Sequence, residues 1–385
     1  MNLLQADPSQ SIEGLRLHLQ YAIGLELTTI PPYLCALYSI VEGENSEAVE
    51  AIQSVVLEEM LHMSLAANVL NAIGGVPSPD PGPGLGGISP IPVYPTKVPF
   101  IERIPELHLL PFSPEAVDTF VAIEQPLEPH PPTAGQEQYD SIGAFYQAIE
   151  RGLQEVGTEE VFAAARVSRA GCQVSPHLYY GGGGSVIEVD NLADALRALD
   201  QIVRQGEGVS PEILTQTVIK HVAPVLGALG NRPVEDGDEL PYGWRPYSHY
   251  ARFTEIREGR HYRPTQQVEE TPAGDVLAVE WDAALPMTPD PKAEHYDGAY
   301  RAAMTAFDQT YSALVNTLYH SFNRHPEALE AAVLAMYDLK YQAIALMQTP
   351  SPLDPRLTLG PGFQYLRSAP PLSRNTRAWR EATAR

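Results

Sequence analysis

The chain has 385 residues, 44% of them hydrophobic, enough to bury a large core as one elaborate domain or two closely packed ones. Its net charge is -23 and its pI about 4.8, so an acidic surface would repel phosphate backbones and nucleic acid is excluded as an expected partner. Two cysteines, Cys35 and Cys172, make no disulfide framework. The N-terminal residues lack a basic region followed by an apolar run, and no stretch of about 18 apolar residues occurs, so the expectation is a cytoplasmic protein without a membrane span.

Residues 9 to 42 carry a helical stripe of Leu19, Ala22, Ile23, Glu26, Ile30 and Tyr33, with Ser9 and Ser11 as candidate N-caps. Pro31 and Pro32 predict a kink or an interruption. The clearest helix spans residues 46 to 74. Ile52, Val55, Val56, Glu59, His62, Met63, Ala66, Leu70 and Ile73 share its inner stripe, and Gly74 and Gly75 end it. Glu58 lies about 100° round the helix from Glu59, towards the flank.

Residues 76 to 135 are rich in Pro and Gly ("VPSPDPGPGLGG", "LEPHPP") and read as a long surface crossover, with a short strand at Ile91 to Tyr94. A helix follows at about 140 to 156, then a loop and one strand in "YYGGGGSVIEV". Asp190 or Asn191 caps the next helix, with Leu192, Leu196, Leu199, Val203 and Glu207 along one side. Gly206 and Gly208 flank Glu207 and let the backbone crowd a neighbour. Residues 211 to 229 form another helix, and "YSHYARFTEI" a short one with His249, Phe253 and Ile256 inward. Tyr300, Met304, Phe307, Tyr311, Leu314 and Leu318 repeat with heptad spacing, and Pro326 opens a last helix. The class is mainly α. The chain reads as one domain over 1–385, with an insertion at about 76–190 and a C-terminal helical extension at about 290–348.

Four features converge on one chemistry: a lone Glu26 in an apolar stripe, Glu59-x-x-His62, Glu207 in "QGEG" and His249 in "SHYARF". Single glutamates and Glu-x-x-His pairs on the helices of a bundle are the ligand pattern of carboxylate-bridged two-metal sites. Carboxylates are hard and can bridge two cations, and imidazole is a borderline neutral donor; the pair suits iron or manganese. The alternative is a hydrogen-bonded core network of Glu26, Glu59 and His62, which would have to offset several kcal/mol of carboxylate burial. Glu150 and Glu255 are further candidates, with the blander roles of a solvated face and an i,i+3 partner for Arg252. Tyr33 and Tyr38 are either hydrogen-bond donors behind the site or packing residues.

The stretches "LQYAIGLELTTIPPYLCALYSI", "VVLEEMLHMSLAANVLNAIGG", "YDSIGAFYQAIERGL", "IVRQGEG" and "HYARFTEI" resemble the ferritin-like family related to the iminophenyl-pyruvate dimer synthases of bisindole pigment pathways. "YSALVNTLYHSFN" and "MYDLKYQAIALMQTP" resemble that family's C-terminal helices. The resemblance implies a ferritin-like four-helix bundle with the Pro/Gly-rich crossover and extra C-terminal helices. It also implies a non-haem metal site with Glu26, Glu59, His62, Glu207 and His249 as ligands and two ions, iron first and manganese second. Pro246 stands where a second Glu-x-x-His would need its Glu, so fewer protein ligands than a symmetric set are expected. The functions to weigh are an oxidoreductase using dioxygen or peroxide on a small, amino-acid-derived molecule, imine coupling, metal storage, and a structural role. A homo-oligomer is compatible with each.

Overall fold

The computed structural model describes residues 7–80, 82, 89–101, 103–126, 139–179, 184–206, 248–263, 266 and 270–372. Nine α-helices and no strand longer than an isolated bridge occur among them.

The spine is an antiparallel pair, α1 (Ile12–Ser39) and α2 (Ser46–Ala72). Ser11 caps α1 by accepting from the Gly14 N–H, and Gly74, at φ +79°, follows α2 where a left-handed residue is needed. The expected stripe of α1 is buried, but so are Leu25, Leu27 and Leu34 on its other sides. A helix apolar all round is a central one, wrapped by neighbours on every face.

α1 does not break at Pro31 and Pro32; it runs through both. Pro32 has no N–H to give the carbonyl of Thr28, four residues earlier. That carbonyl is satisfied from outside the helix, by the Tyr94 hydroxyl at 2.7 Å. A residue of the Pro/Gly-rich crossover thus supplies the donor that the proline withholds.

The crossover also contains a buried helix that its composition hides, α3 (Pro114–Glu124). Ser113 caps it and Pro114 occupies its first turn. The expected strand at 91–94 is absent, and so is one in the described part of "YYGGGGSVIEV", residues 184–189. α4 (Ile142–Val156) starts at its Ser141 cap, and α5 (Glu159–Ser168) was not expected.

α6 (Leu192–Arg204) is capped by Asn191, and its buried face is Ala195, Ala198, Leu199 and Ile202. Of the expected line Leu199 is buried, whereas Leu192, Leu196 and Val203 pack half-buried at the margin. α7 (His249–Glu258) follows its Ser248 cap. Position 246, Glu207 and the helix expected at 211–229 lie outside the described residues.

α4 packs on α1 and α6, α6 on α2, and α3 on α7, which itself lies against α2. α8 (Gly298–Ser321) and α9 (Leu329–Met347) form a hairpin, and α9 reaches back to α1. Pro326 opens a single 3-10 turn before α9 rather than the helix itself. Met304, Phe307, Tyr311 and Leu314 are buried as the heptad predicts, whereas Tyr300 is exposed.

Candidate metal centre

Five side chains from α1, α2, α3 and α7 meet at the centre of the spine: Glu26, Glu59, His62, Glu124 and His249, all fully buried. They form two groups, Glu26–Glu59–His62 and Glu59–Glu124–His249, and within each the donor atoms lie within 4.8 Å of one another. Glu59 belongs to both. The two imidazoles face each other with ring centroids 5.5 Å apart and 24° between planes.

Each member is held from behind. Glu26 Oε1 accepts a short hydrogen bond from Tyr146 of α4. Thr29 Oγ1 donates to Glu59 Oε2 at 3.0 Å, and Tyr33 Oη to Glu124 Oε1 at 2.6 Å. His62 Nε2 lies 2.7 Å from Gln205 Oε1, and His249 Nε2 lies 2.7 Å from Glu58 Oε2. An amide or carboxylate oxygen can only accept, so Nε2 carries the proton of each ring and Nδ1 is left as the basic nitrogen.

The remaining atoms turn inward. His62 Nδ1 is 3.5 Å from Glu26 Oε2, and His249 Nδ1 is 3.1 Å from Glu59 Oε1 and 3.4 Å from Glu124 Oε2. Two donors each about 2.1 Å from one cation stand about 3.0–3.4 Å apart at octahedral to tetrahedral angles, so this spacing suits a shared ion. Among the described residues, Glu59 Oε1, Glu124 Oε2 and His249 Nδ1 are buried without a hydrogen-bond partner. Leaving such atoms unsatisfied costs about 1–3 kcal/mol each, which a cation would offset. The residues present therefore fit a metal, and a donor set of carboxylate and imidazole without thiolate suits iron or manganese.

Electrostatics agree. Burial, and then the charge of Glu124, push the Glu59 carboxyl up to about 8. Burial would lower His249, but Glu124, Glu58 and Glu59 hold it well above the ordinary imidazole range. Burial likewise opposes protonation of His62, and the hydrogen bond and charge of Glu26 outweigh it. Without a cation this cluster keeps protons to limit mutual repulsion among its carboxylates.

Of the five residues expected from sequence, Glu26, Glu59, His62 and His249 come together, while Glu207 lies outside the described residues. Gly206, at φ +135°, precedes it. A Cβ there would meet His249 N at 2.6 Å, so the missing side chain is what lets α7 start against α6.

Glu58 is in neither donor group, and the flank it occupies is covered. It is buried between α2 and α7, where Arg252 Nη2 reaches both its oxygens at 3.0 and 2.9 Å. The expected Arg252–Glu255 pair is therefore replaced: Glu255 holds the Tyr262 N–H and His261 instead. Glu150 sits on an exposed face near Gln154, as the blander expectation has it. Tyr33 is a donor behind the site. Glu124 was missed, although Val117, Phe120 and Val121 put it in phase with a buried stripe after the Ser113–Pro114 start.

An apolar cavity of about 910 Å³ adjoins the same helices, between α1, α2 and the α8–α9 hairpin. Ile30, Met60, Met63, Leu314, Leu318 and Met336 are among its walls. Ile30 is one turn past Glu26 and Met63 one turn past Glu59. Tyr311 also lines it, with a buried hydroxyl that has no hydrogen-bond partner among the described residues.

No helix among the described residues is long and apolar enough to cross a membrane. Dichlorochromopyrrolate synthase from Lentzea aerocolonigenes is 24% identical over 412 residues, covering 90% of this chain and 35% of that enzyme, so the chain spans about a third of its length. The crystal structure of a ferritin-like protein from Caulobacter vibrioides superposes with a TM-score of 0.57 at 24% identity, covering 91% of this chain and 97% of the other. The ferritin-like family model matches residues 19–258, more than half of the sequence and every helix that contributes to the centre. The chain belongs to the ferritin-like family.

Proposed function

We propose that the protein is a non-haem di-metal oxidoreductase, binding iron in preference to manganese and acting on a small, amino-acid-derived molecule. One observation carries this reading. Three carboxylates and two imidazoles each give one atom to a neighbouring partner and turn the other inward, with Glu59 common to both groups. Glu26, Glu59 and His62 would hold one ion and Glu59, Glu124 and His249 the other, with Glu207 as a further candidate ligand. When bound, such an ion pair supplies redox equivalents and a coordination position for dioxygen or peroxide.

The chain's own residues do the rest. Tyr146, Thr29 and Tyr33 fix the carboxylates so that little reorganisation is needed on loading. Full burial excludes bulk water from the centre. The apolar cavity provides room for an organic molecule, which a storage protein has no use for. The similarity to a synthase of dichlorochromopyrrolate, spread over 90% of this chain, supports an enzymatic role on a small molecule. The same similarity favours, as a second reading, imine coupling of the iminophenyl-pyruvate dimer synthase type.

The test is stopped-flow spectroscopy of anaerobic, Fe(II)-loaded protein mixed with oxygen, with and without amino and imino acids. The expected outcome is iron oxidation that depends on Glu59 and is accelerated by one substrate class. Oxidation no faster than that of free Fe(II), with no substrate consumed, would remove the oxidoreductase reading.

A further inference from the structure

The two inward-facing histidines are backed by chemically different groups. His62 leans on the neutral amide of Gln205, and His249 on the carboxylate of Glu58. Glu58 is in neither ligand group. Its charge is balanced in turn by Arg252, which lies one turn past His249 on α7 and whose Nη1 donates to Ser54 of α2 at 2.7 Å. The result is a closed ring: α2 supplies Glu58 and Ser54, and α7 supplies His249 and Arg252. The ring fixes the imidazole plane and aims Nδ1 at Glu59 and Glu124.

We propose that Glu58 is a positioning residue that strengthens the His249 metal position and leaves the His62 position alone, so that the two positions are unequal. This rests on the metal-pair reading above. A carboxylate that accepts the far N–H of an imidazole increases the basicity of the near nitrogen more than an amide oxygen does, because negative charge stabilises positive charge drawn onto the ring. Arg252 Nη2 reaches both oxygens of Glu58 and fixes the second one, so the carboxylate cannot rotate away. Glu58 is thus adjacent in sequence to the shared ligand Glu59 yet acts through His249, on the opposite helix. A plain structural role, a clamp between α2 and α7, would support both metal positions through the fold and distinguish neither.

Titration of the metal-free full chain with Mn(II), followed by the EPR signal of the free ion, separates these cases. Wild type should show two uptake steps. Glu58→Asp keeps a charge beside Arg252 but withdraws the oxygen from His249. It should weaken one step by about 10–100-fold and leave the other within about twofold. Gln205→Leu should weaken the other step. Glu58→Asp added to His249→Ala should have no further effect, since the ring through which it acts is gone. Circular dichroism melts of the metal-free variants check folding, and Glu58→Asp is preferred to Glu58→Gln because it does not strand the Arg252 charge. Equal weakening of both steps, no weakening, or an additive effect in the double variant would overturn the inference. Wild-type protein that takes up no Mn(II) or Fe(II) would instead overturn the metal reading, and the inference with it.

Discussion

Tyr33 Oη donates a 2.6 Å hydrogen bond to Glu124 Oε1, tying the C-terminal third of α1 to the last residue of α3. Through it, a helix hidden in the Pro/Gly-rich crossover delivers a carboxylate to the centre. Glu124→Gln keeps the shape and removes the charge, so bound metal should fall from two ions to one per chain, by elemental analysis after dialysis. Tyr33→Phe should retain both ions with affinity about 10-fold weaker at one. Unchanged stoichiometry in Glu124→Gln would show that Glu124 only packs there.

Glu59 is common to both donor groups, whereas His62 and His249 each serve one. Glu59→Ala should therefore abolish uptake of both ions, while His62→Ala leaves one. The metal-free Glu59→Ala protein should melt at or above the wild-type temperature, because a carboxyl pushed up to about 8 by burial and by Glu124 opposes the fold when no cation is present. Retention of one tightly held ion in Glu59→Ala would assign the two groups to independent sites.

Much of this centre is legible in the sequence because its residues break a pattern. Glu26, Glu59 and His62 are polar at positions where helical periodicity demands apolar ones, and burying carboxylates and an imidazole is too costly to be incidental. Glu124 escapes because its helix is short, begins with proline and lies among prolines, so composition outvotes periodicity. Its Ser113–Pro114 start and the Val117, Phe120, Val121 spacing were the available signal. The surroundings of Glu58 were not legible for a different reason. A helical wheel gives the angle of a residue but not which neighbour covers it, and α7 covers that flank with Arg252 and His249. The continuity of α1 through Pro31 and Pro32 was not readable either, since the rescuing Tyr94 hydroxyl comes from 62 residues beyond Pro32. Local sequence states what a proline removes; only tertiary structure states what replaces it.

The cavity of about 910 Å³ should bind apolar molecules independently of metal. Nile red is a suitable neutral probe, and its fluorescence should rise on binding to metal-free protein. Leu314→Trp places an indole into the space from α8, away from all five candidate ligands. It should reduce Nile red affinity by about 10-fold or more while leaving Mn(II) uptake unchanged, since roughly a Trp side chain of lining volume is lost to the ligand. Equal Nile red binding by both proteins would place the probe elsewhere and remove the cavity from the proposed function.

Asp308 gives a pH test of the contact between α8 and the segment around Gln364. It is buried on α8 and accepts from the Gln364 N–H at 3.0 Å, and burial pushes its carboxyl up to about 7. The folded value lies above the unfolded one of 3.8, so the folded state holds this proton more tightly. Below about 4 both states are protonated and the group does not oppose folding. As pH rises from about 4 to 7, the unfolded chain releases the proton first and stability is lost; above about 7 the loss is complete. An asparagine side chain at this position would keep the acceptor oxygen and cannot ionise. Asp308→Asn should therefore stabilise by only about 1 kcal/mol at pH 4.5 and by on the order of 4 kcal/mol at pH 8, given about 1.4 kcal/mol per unit. Thermal melts of the two proteins at both pH values, metal-free to remove linkage to the centre, check this. A stabilisation equal at pH 4.5 and pH 8 would show that the Asp308 carboxyl titrates alike in the folded and unfolded states, and destabilisation at pH 8 would show that its charge supports the fold.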